Sequence, residues 1–206
     1  MIVIFNGPPA SGKDEEASLY KEKFGFGNLS FKYQLFKETI KHFDVDKRWF
    51  MEGYNDRDQK EKKEFALQGM SRREAMIHVS EDIIKPKKGL DYFGRSVAEE
   101  IEEENNYALA DGGFVEELEP IIEKVGAENI VIVQLTREGH DYSSDSRKYF
   151  NGNIISETTI GHQTEIDKAY VLKEEMNIRT YRIHNNGSLH NLQKALGSIH
   201  NEIIGE

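Results

Sequence analysis

The residues best suited to chemistry form a loop near the start of the chain, where two glycines and a lysine follow the pattern Gly-x4-Gly-Lys. The apolar run from Ile2 to Asn6 predicts a buried strand before this loop, and a helix is predicted from about Gly12 to Lys23. Glycines let the backbone turn tightly around an anion, towards which successive N–H groups and the positive end of the helix dipole then point. The glycine loop (residues 7–13) therefore predicts a phosphate-binding site. Its candidate residues, with the position that follows, are Gly7, Pro8, Ala10, Ser11, Gly12, Lys13 and Asp14.

The last residue of the glycine loop and the one after it differ in what they could bind. Lys13 would reach the terminal phosphates of a ligand, whereas Asp14 stands where the pattern normally has a Ser or Thr that holds Mg²⁺. A carboxylate there could bind Mg²⁺ directly or through water, because this ion favours oxygen ligands and retains several waters. The alternative is an ordinary turn with an exposed lysine, in which Asp14 only complements the helix dipole.

A second candidate metal ligand stands at the end of the predicted strand Tyr107 to Asp111. Asp111 would stand at the C-terminal end of an inner strand, where parallel α/β sheets place their ligands. The alternative is that Asp111 caps the helix that follows it.

Four arginines are candidates for holding phosphate groups. Arg72 and Arg73 lie in the first turn of a helix opened by a capping-box pattern, where the dipole opposes positive charge, so a bound anion would account for both. Arg137 and Arg147 belong to the predicted long loop of residues 136–163. The alternatives are surface ion pairs for the first two arginines and a solvated loop for the others.

These candidates need elements to position them, and the chain alternates apolar strand patterns with helical ones. Alternation of this kind predicts an α/β fold with a central parallel sheet of about five strands and helices on both faces. Residues 46–70 carry a run of charges that is typical of a solvated helix face or a mobile insertion, and residues 136–163 read as one long loop. The predicted strands lie at 2–6, 29–31, 107–111, 129–135 and 178–184.

The composition argues against polyanionic partners. The 206 residues carry a formal net charge of −10, from 37 acidic and 27 basic side chains, so neither nucleic acid nor an anionic membrane is an expected partner. The absence of cysteine excludes disulfides and thiolate chemistry and is compatible with a reducing cytoplasm, which is the expected location.

Several segments together resemble the P-loop nucleoside monophosphate kinase group, and within it the phage-type deoxynucleoside monophosphate kinases. They are Gly12-Lys13-Asp14, Lys32-Tyr33-Gln34-Leu35, Arg72-Arg73 with Glu81-Asp82-Ile83-Ile84, Asp111-Gly112-Gly113-Phe114, and Asn185-Asn186-Gly187-Ser188-Leu189. One feature departs from this group, since no arginine follows Asp111 where its members have one.

The resemblance implies a P-loop NTPase fold in a single domain, residues 1–206. Residues 32–90 would form an acceptor-binding insertion and residues 136–163 a lid that carries Arg137 and Arg147. Asn185 and Gly187 would lie near the adenine of the donor.

The expected function is ATP-dependent phosphoryl transfer, with Mg²⁺, to a nucleoside or deoxynucleoside monophosphate, giving the diphosphate. The expected compartment is the cytoplasm, or the host cytoplasm if the gene belongs to a phage. Another small phosphorylated acceptor and a nucleotide-binding regulatory module without turnover are the alternatives, and a homodimer is left open.

Overall fold

The computed structural model describes residues 1–102, 104–143, 145–166 and 168–205; Ser144, within the predicted loop 136–163, lies outside them. Its centre is a six-stranded sheet with the strand order β2-β3-β1-β4-β8-β6, and each neighbouring pair of strands is parallel. A separate two-stranded sheet pairs β5 with β7. The strands are β1 Ile2–Asn6, β2 Gly27–Asn28, β3 Tyr107–Leu109, β4 Ile130–Thr136, β5 Tyr149–Asn151, β6 Asn153–Ile160, β7 Ala169–Val171 and β8 Arg179–Asn185.

Helices cover both faces of the central sheet, as the sequence predicted. Alternate residues of β1 point to opposite faces, so Ile2 and Ile4 join one hydrophobic cluster while Val3 and Phe5 join another. Helices α7 and α8 pack on the first face, and α1 and α9 on the second. The helices are α1 Lys13–Phe24, α2 Phe31–Phe43, α3 Lys47–Asn55, α4 Arg57–Lys60, α5 Arg72–His78, α6 Lys85–Lys88, α7 Tyr92–Glu100, α8 Val115–Val125 and α9 Leu189–Ile204.

The sheet departs from the sequence prediction at two strands. Residues 149–151 and 153–160, which the sequence assigned to a long loop, form β5 and β6, and β6 is the sixth strand of the central sheet. Most of β6 is exposed because it lies at the edge of the sheet, so it lacks the apolar run that marks an inner strand. The second strand is confined to Gly27–Asn28, and Phe31 begins α2 instead of ending a strand.

The charged segment from 46 to 70 is folded against the helices around it. Phe50 and Leu67 are fully buried there and form a third hydrophobic cluster with Ala75 and Met76 of α5. The predicted capping box is present, because the Ser71 hydroxyl accepts from Glu74 N while Ser71 N donates to the Glu74 carboxylate. After α5 the chain continues through a π-helix, Val79–Ile84, into α6. No helix within the described residues combines the length and apolar character needed to cross a membrane.

Substitutions at two glycines within helices distinguish the effect of close packing on stability from the effect of intrinsic helix propensity. A Cβ at Gly94 in α7 would lie 2.2 Å from the backbone oxygen of Glu117 in α8, whereas a Cβ at Gly197 in α9 would meet nothing within 4 Å. We expect Gly94→Ala to destabilise the protein by about 1 to 3 kcal/mol, and Gly197→Ala to stabilise it by about 0.5 to 1 kcal/mol. Urea denaturation checks both values; equal effects of the two substitutions would contradict the close approach of α7 to α8.

Candidate functional site

The glycine loop joins the central strand β1 to α1 in a tight turn. Ala10 and Gly12 have positive φ values of 62° and 115°, and Ser11 N donates a hydrogen bond to Pro8 O at 3.3 Å. A Cβ at Gly7 would lie 2.4 Å from Leu135 O, so the loop begins directly against the backbone of β4. The fold therefore gives the loop the strand-to-helix setting that a phosphate site requires.

Two residues that the sequence predicts near an adenine, Asn185 and Gly187, make packing and hydrogen-bond contacts at the end of β8. Asn185, the last residue of β8, is buried, and its Nδ2 donates to Ser11 O at 3.0 Å. Gly187 lies against β6, since a Cβ there would be 2.4 Å from Cγ2 of Ile160. Asn185 thus fixes the shape of the glycine loop from outside the cavity described next.

A cavity of about 420 Å³ opens beside the glycine loop, between α2, α5, α7 and α8. Six of the sequence candidates line it, namely Ala10, Lys13, Asp14, Arg73, Asp111 and Arg147. Five basic side chains, which we call the cationic group, contribute to its lining: Lys13, Lys32, Lys60, Arg73 and Arg147. The charges of Lys32 and Arg147 act on Lys13, and those of Arg73 and Arg147 act on Lys60, so these cations lie near one another. Apolar and acidic side chains complete the lining, among them Leu35, Met76, Phe93, Asp111 and Glu117. The cavity is thus suited to a ligand that carries an anionic group.

Lys13, within the cationic group, is held in a state that favours an anionic ligand. The residue is 6% exposed, and its Nζ donates to Pro8 O at 2.6 Å. Burial, with a smaller contribution from the positive charge of Arg147, lowers the pKa of Lys13 to about 8. Because burial and like charge both disfavour the ammonium, a bound phosphate would stabilise it.

Asp111 is tied to the helix α2 and not to the helix that follows it in sequence. Its Oδ2 accepts from the Ser30 hydroxyl at 2.6 Å and from Lys32 N at 2.9 Å, and its Oδ1 accepts from Phe31 N at 3.2 Å. The alternative that it caps the following helix is therefore wrong. Asp111 satisfies the first N–H groups of α2 and so anchors the segment after residue 30 to the end of β3.

The two predicted metal ligands differ in their surroundings. Asp14 is exposed at the mouth of the cavity, while Asp111 already accepts three hydrogen bonds. Within the described residues, no group of three or more His, Asp or Glu side chains is placed to hold a metal ion. Of the two, Asp14 has the carboxylate whose oxygens are free of such structural hydrogen bonds and would be accessible to a cation.

Arg72 and Arg73 point to different places, so the prediction that both hold an anion is wrong for Arg72. Arg72 is 2% exposed, its guanidinium lies 4.2 Å from the centre of the Trp49 ring, and its Nη1 donates to Gln59 O at 3.1 Å. It also stands 3.5 Å from the Glu64 carboxylate. Arg72 therefore stabilises the segment around residues 46–70, and only Arg73 lines the cavity.

The two arginines after β4 also have separate positions. Arg137 is exposed and donates to Ala10 O at 3.3 Å, so it touches the outside of the glycine loop. Arg147 lines the cavity and is paired with Asp145 through Nε to Oδ1 at 3.0 Å and Nη2 to Oδ2 at 2.6 Å. This forked pair fixes the plane of the Arg147 guanidinium beside Lys13.

Three cavity-lining residues were not predicted from the sequence as site residues. The backbone N–H of Lys32 donates to Asp111, and the Lys60 ammonium lies 4.1 Å from the centre of the Tyr54 ring. Burial lowers the pKa of Lys60, and the charge of Arg73 adds to the effect. Glu117 was read as part of a helix and is 4% exposed. A charge run and an acidic helix start are normally solvated, so neither pattern distinguishes these side chains from surface residues.

Comparison with known proteins identifies no family: no protein-family model matches the chain, and no curated protein matches it at a significant level.

The pH dependence of stability tests whether the pKa of the buried Glu117 carboxyl is raised. Burial raises its pKa to about 8 from the ordinary 4.5, so the folded protein holds a proton that the unfolded chain releases. The free energy of unfolding should therefore fall through this group as pH rises from 4.5 to 8. We expect Glu117→Gln to be more stable than the parent at pH 8, by up to about 4 kcal/mol, with the difference vanishing near pH 4.5.

Thermal or urea denaturation at several pH values measures this difference. Glu119→Gln, on the exposed side of the same helix, is the matched control and should show no such pH dependence. A Glu117→Gln advantage that is constant between pH 4.5 and 8 would show that the carboxyl titrates normally.

Proposed function

We propose that the chain has the P-loop NTPase fold and transfers the γ-phosphoryl of ATP to a nucleoside monophosphate, with deoxynucleotides as the expected acceptors. The observation that carries the proposal is that Lys13, Arg73 and Arg147 line one cavity beside the glycine loop. An acceptor phosphate is already an anion, so the transfer needs alignment and charge neutralisation more than a general base.

The residues divide into roles by position. The glycine loop and Lys13 would bind the donor phosphates, with Asn185 holding the loop in shape. Arg147, which also lines the cavity, would stabilise the charge on the transferred group. Mg²⁺, when bound, would neutralise the donor phosphates, and Asp14 would hold it.

The acceptor phosphate would meet Arg73 and Lys60, which come from α5 and α4. The kinases that the chain resembles have an arginine after the strand-end aspartate, and this chain has none there. Arg73 of α5 and Lys60 of α4 supply two cations to the same cavity. We propose that they bind the phosphate that the missing arginine would contact.

A coupled assay of ADP release against every common nucleoside and deoxynucleoside monophosphate tests the activity. Lys13→Met should lower kcat by about 10²- to 10³-fold, because it removes a donor aimed at developing charge. Lys21→Met, at an exposed position of the same helix, should leave kcat unchanged.

The outcomes of acceptor assays distinguish the nucleotide kinase from the two alternatives. ADP release that no monophosphate increases above the background hydrolysis of ATP would reject the kinase and favour a nucleotide-binding module. Turnover with a phosphorylated acceptor that carries no base would replace the nucleotide acceptor by another small one.

The lowered pKa of Lys13 predicts how donor binding depends on pH. The bound phosphates require the ammonium, which the free protein loses above about pH 8. The dissociation constant for ATP should be constant from pH 7 to 8 and then rise by up to about tenfold per pH unit. Titration calorimetry on the parent and on Lys13→Met measures this. The slope should be absent in Lys13→Met and kept in Lys21→Met, and a flat parent profile up to pH 9.5 would contradict a contact between Lys13 and the phosphates.

A further inference from the structure

Asn6, the last residue of the central strand β1, is fully buried and holds a distant part of the chain. Its Oδ1 accepts from Phe150 N at 2.7 Å, and its Nδ2 donates to Lys148 O at 3.0 Å. Because a backbone N–H meets one side of the amide and a carbonyl meets the other, only one orientation of the amide satisfies both contacts. A single side chain of β1 thus fixes the backbone on both sides of Tyr149.

The segment that Asn6 holds begins directly after Arg147 and is also tied to the chain that follows β3. Lys148 N donates to Gly113 O at 3.1 Å. A Cβ at Gly113 would lie 2.6 Å from Cβ of Arg147 and 2.8 Å from its Cγ, so the stem of the arginine packs against this glycine. A side chain at position 113 would therefore force the Arg147 stem to move.

The backbone before Arg147 and the guanidinium have contacts of their own. Asp145 Oδ1 accepts from Arg147 N at 3.0 Å, in addition to its forked pair with the guanidinium. The Lys168 ammonium donates to Tyr142 O at 2.9 Å, and Asn6 Nδ2 lies 3.4 Å from the Tyr142 hydroxyl. Contacts within the protein thus hold the backbone, the stem and the guanidinium of Arg147.

We propose that Asn6 is a positioning residue for Arg147, and that with Gly113 it fixes residues 147–150 against β1 so that Arg147 faces the cavity before a nucleotide binds. This inference rests on the proposed function and deepens it, because Arg147 is then a fixed contact and not part of a segment that closes over the nucleotide. Asn6 does not line the cavity, so it acts only through the arginine.

The advantage of a fixed arginine is physical. A cation that already points to the position where charge develops needs no reorganisation during the reaction. A misplacement of about 1 Å costs up to about 100-fold in rate. The buried amide of Asn6 therefore affects the rate of transfer more than the binding of ATP.

Two substitutions displace Arg147 from different sides. Asn6→Leu removes both hydrogen bonds of the amide at similar side-chain volume, and Gly113→Ala places a methyl group against the Arg147 stem. Each should lower kcat by about 10- to 100-fold and change KM for ATP by less than about threefold. Thr136→Val is the matched control, because it loses a buried hydrogen bond to His184 away from Arg147 and should leave kcat unchanged.

A double-mutant cycle tests whether Asn6 acts through Arg147. Arg147→Met alone should lower kcat by about 10²- to 10³-fold. Asn6→Leu added to Arg147→Met should cause no further loss, since the residue to be positioned is gone. A further fall in kcat as large as that caused by Asn6→Leu in the parent would show that Asn6 acts independently of Arg147, and would overturn the inference.

Hydrogen exchange of the Lys148 and Phe150 amides provides a readout that does not depend on turnover. Both amides should exchange slowly in the free protein, and addition of ADP with Mg²⁺ should change their rates by less than about threefold. Asn6→Leu should accelerate both by about tenfold or more, whereas Thr136→Val should not. Rapid exchange in the free protein, with protection only after ADP binds, would overturn the inference.

Failure of this inference differs from failure of the kinase proposal. Acceptor phosphorylation that is unchanged in Asn6→Leu and Gly113→Ala would reject the positioning role and leave the kinase intact. If no acceptor is phosphorylated, the proposed function fails and hydrogen exchange alone decides: slow exchange that Asn6→Leu accelerates supports the fixed segment, and rapid exchange in the parent rejects it.

Discussion

The central position of β1, hydrogen-bonded to β3 on one side and to β4 on the other, is the constraint on which the rest of the structure depends. Because the strands are parallel, their carboxyl ends meet at one edge of the sheet. The glycine loop leaves β1 at this edge, Asp111 follows β3, Arg137 follows β4, and Asn185 ends β8. Apolar burial on both faces of β1 thus determines where the polar groups of the candidate site converge.

The cavity itself costs stability. Burial and the positive charges of nearby residues lower the pKa values of Lys13 and Lys60, and burial raises the pKa of Glu117 to about 8. The surrounding hydrophobic clusters and the capping contacts of Asp111 offset these costs. Groups held in unfavourable states without ligand are stabilised when a complementary ligand binds, which is the expected physical signature of a binding site.

Much of the fold could be predicted because the inner elements have local patterns of their own. The strands of residues 2–6 and 130–136 are apolar runs, and the helix after Ser71 begins with a capping box. The edge strand β6 could not be predicted, since one of its edges and much of its surface face solvent. The same limitation applied to the segment 46–70, whose few apolar residues form a cluster only when α2 and α5 are brought beside them.

The sequence by itself determined that an α/β chain carries a glycine loop between its first strand and its first helix, because a glycine pattern and an apolar run are properties of neighbouring residues. Only the tertiary structure decided which charges face the cavity. Arg72 and Arg73 are adjacent and chemically alike, yet one is stacked on Trp49 and the other lines the cavity. Glu117 and Glu119 lie in one helix, yet only Glu117 is buried. These differences arise from packing between distant segments, on which the local sequence carries no information.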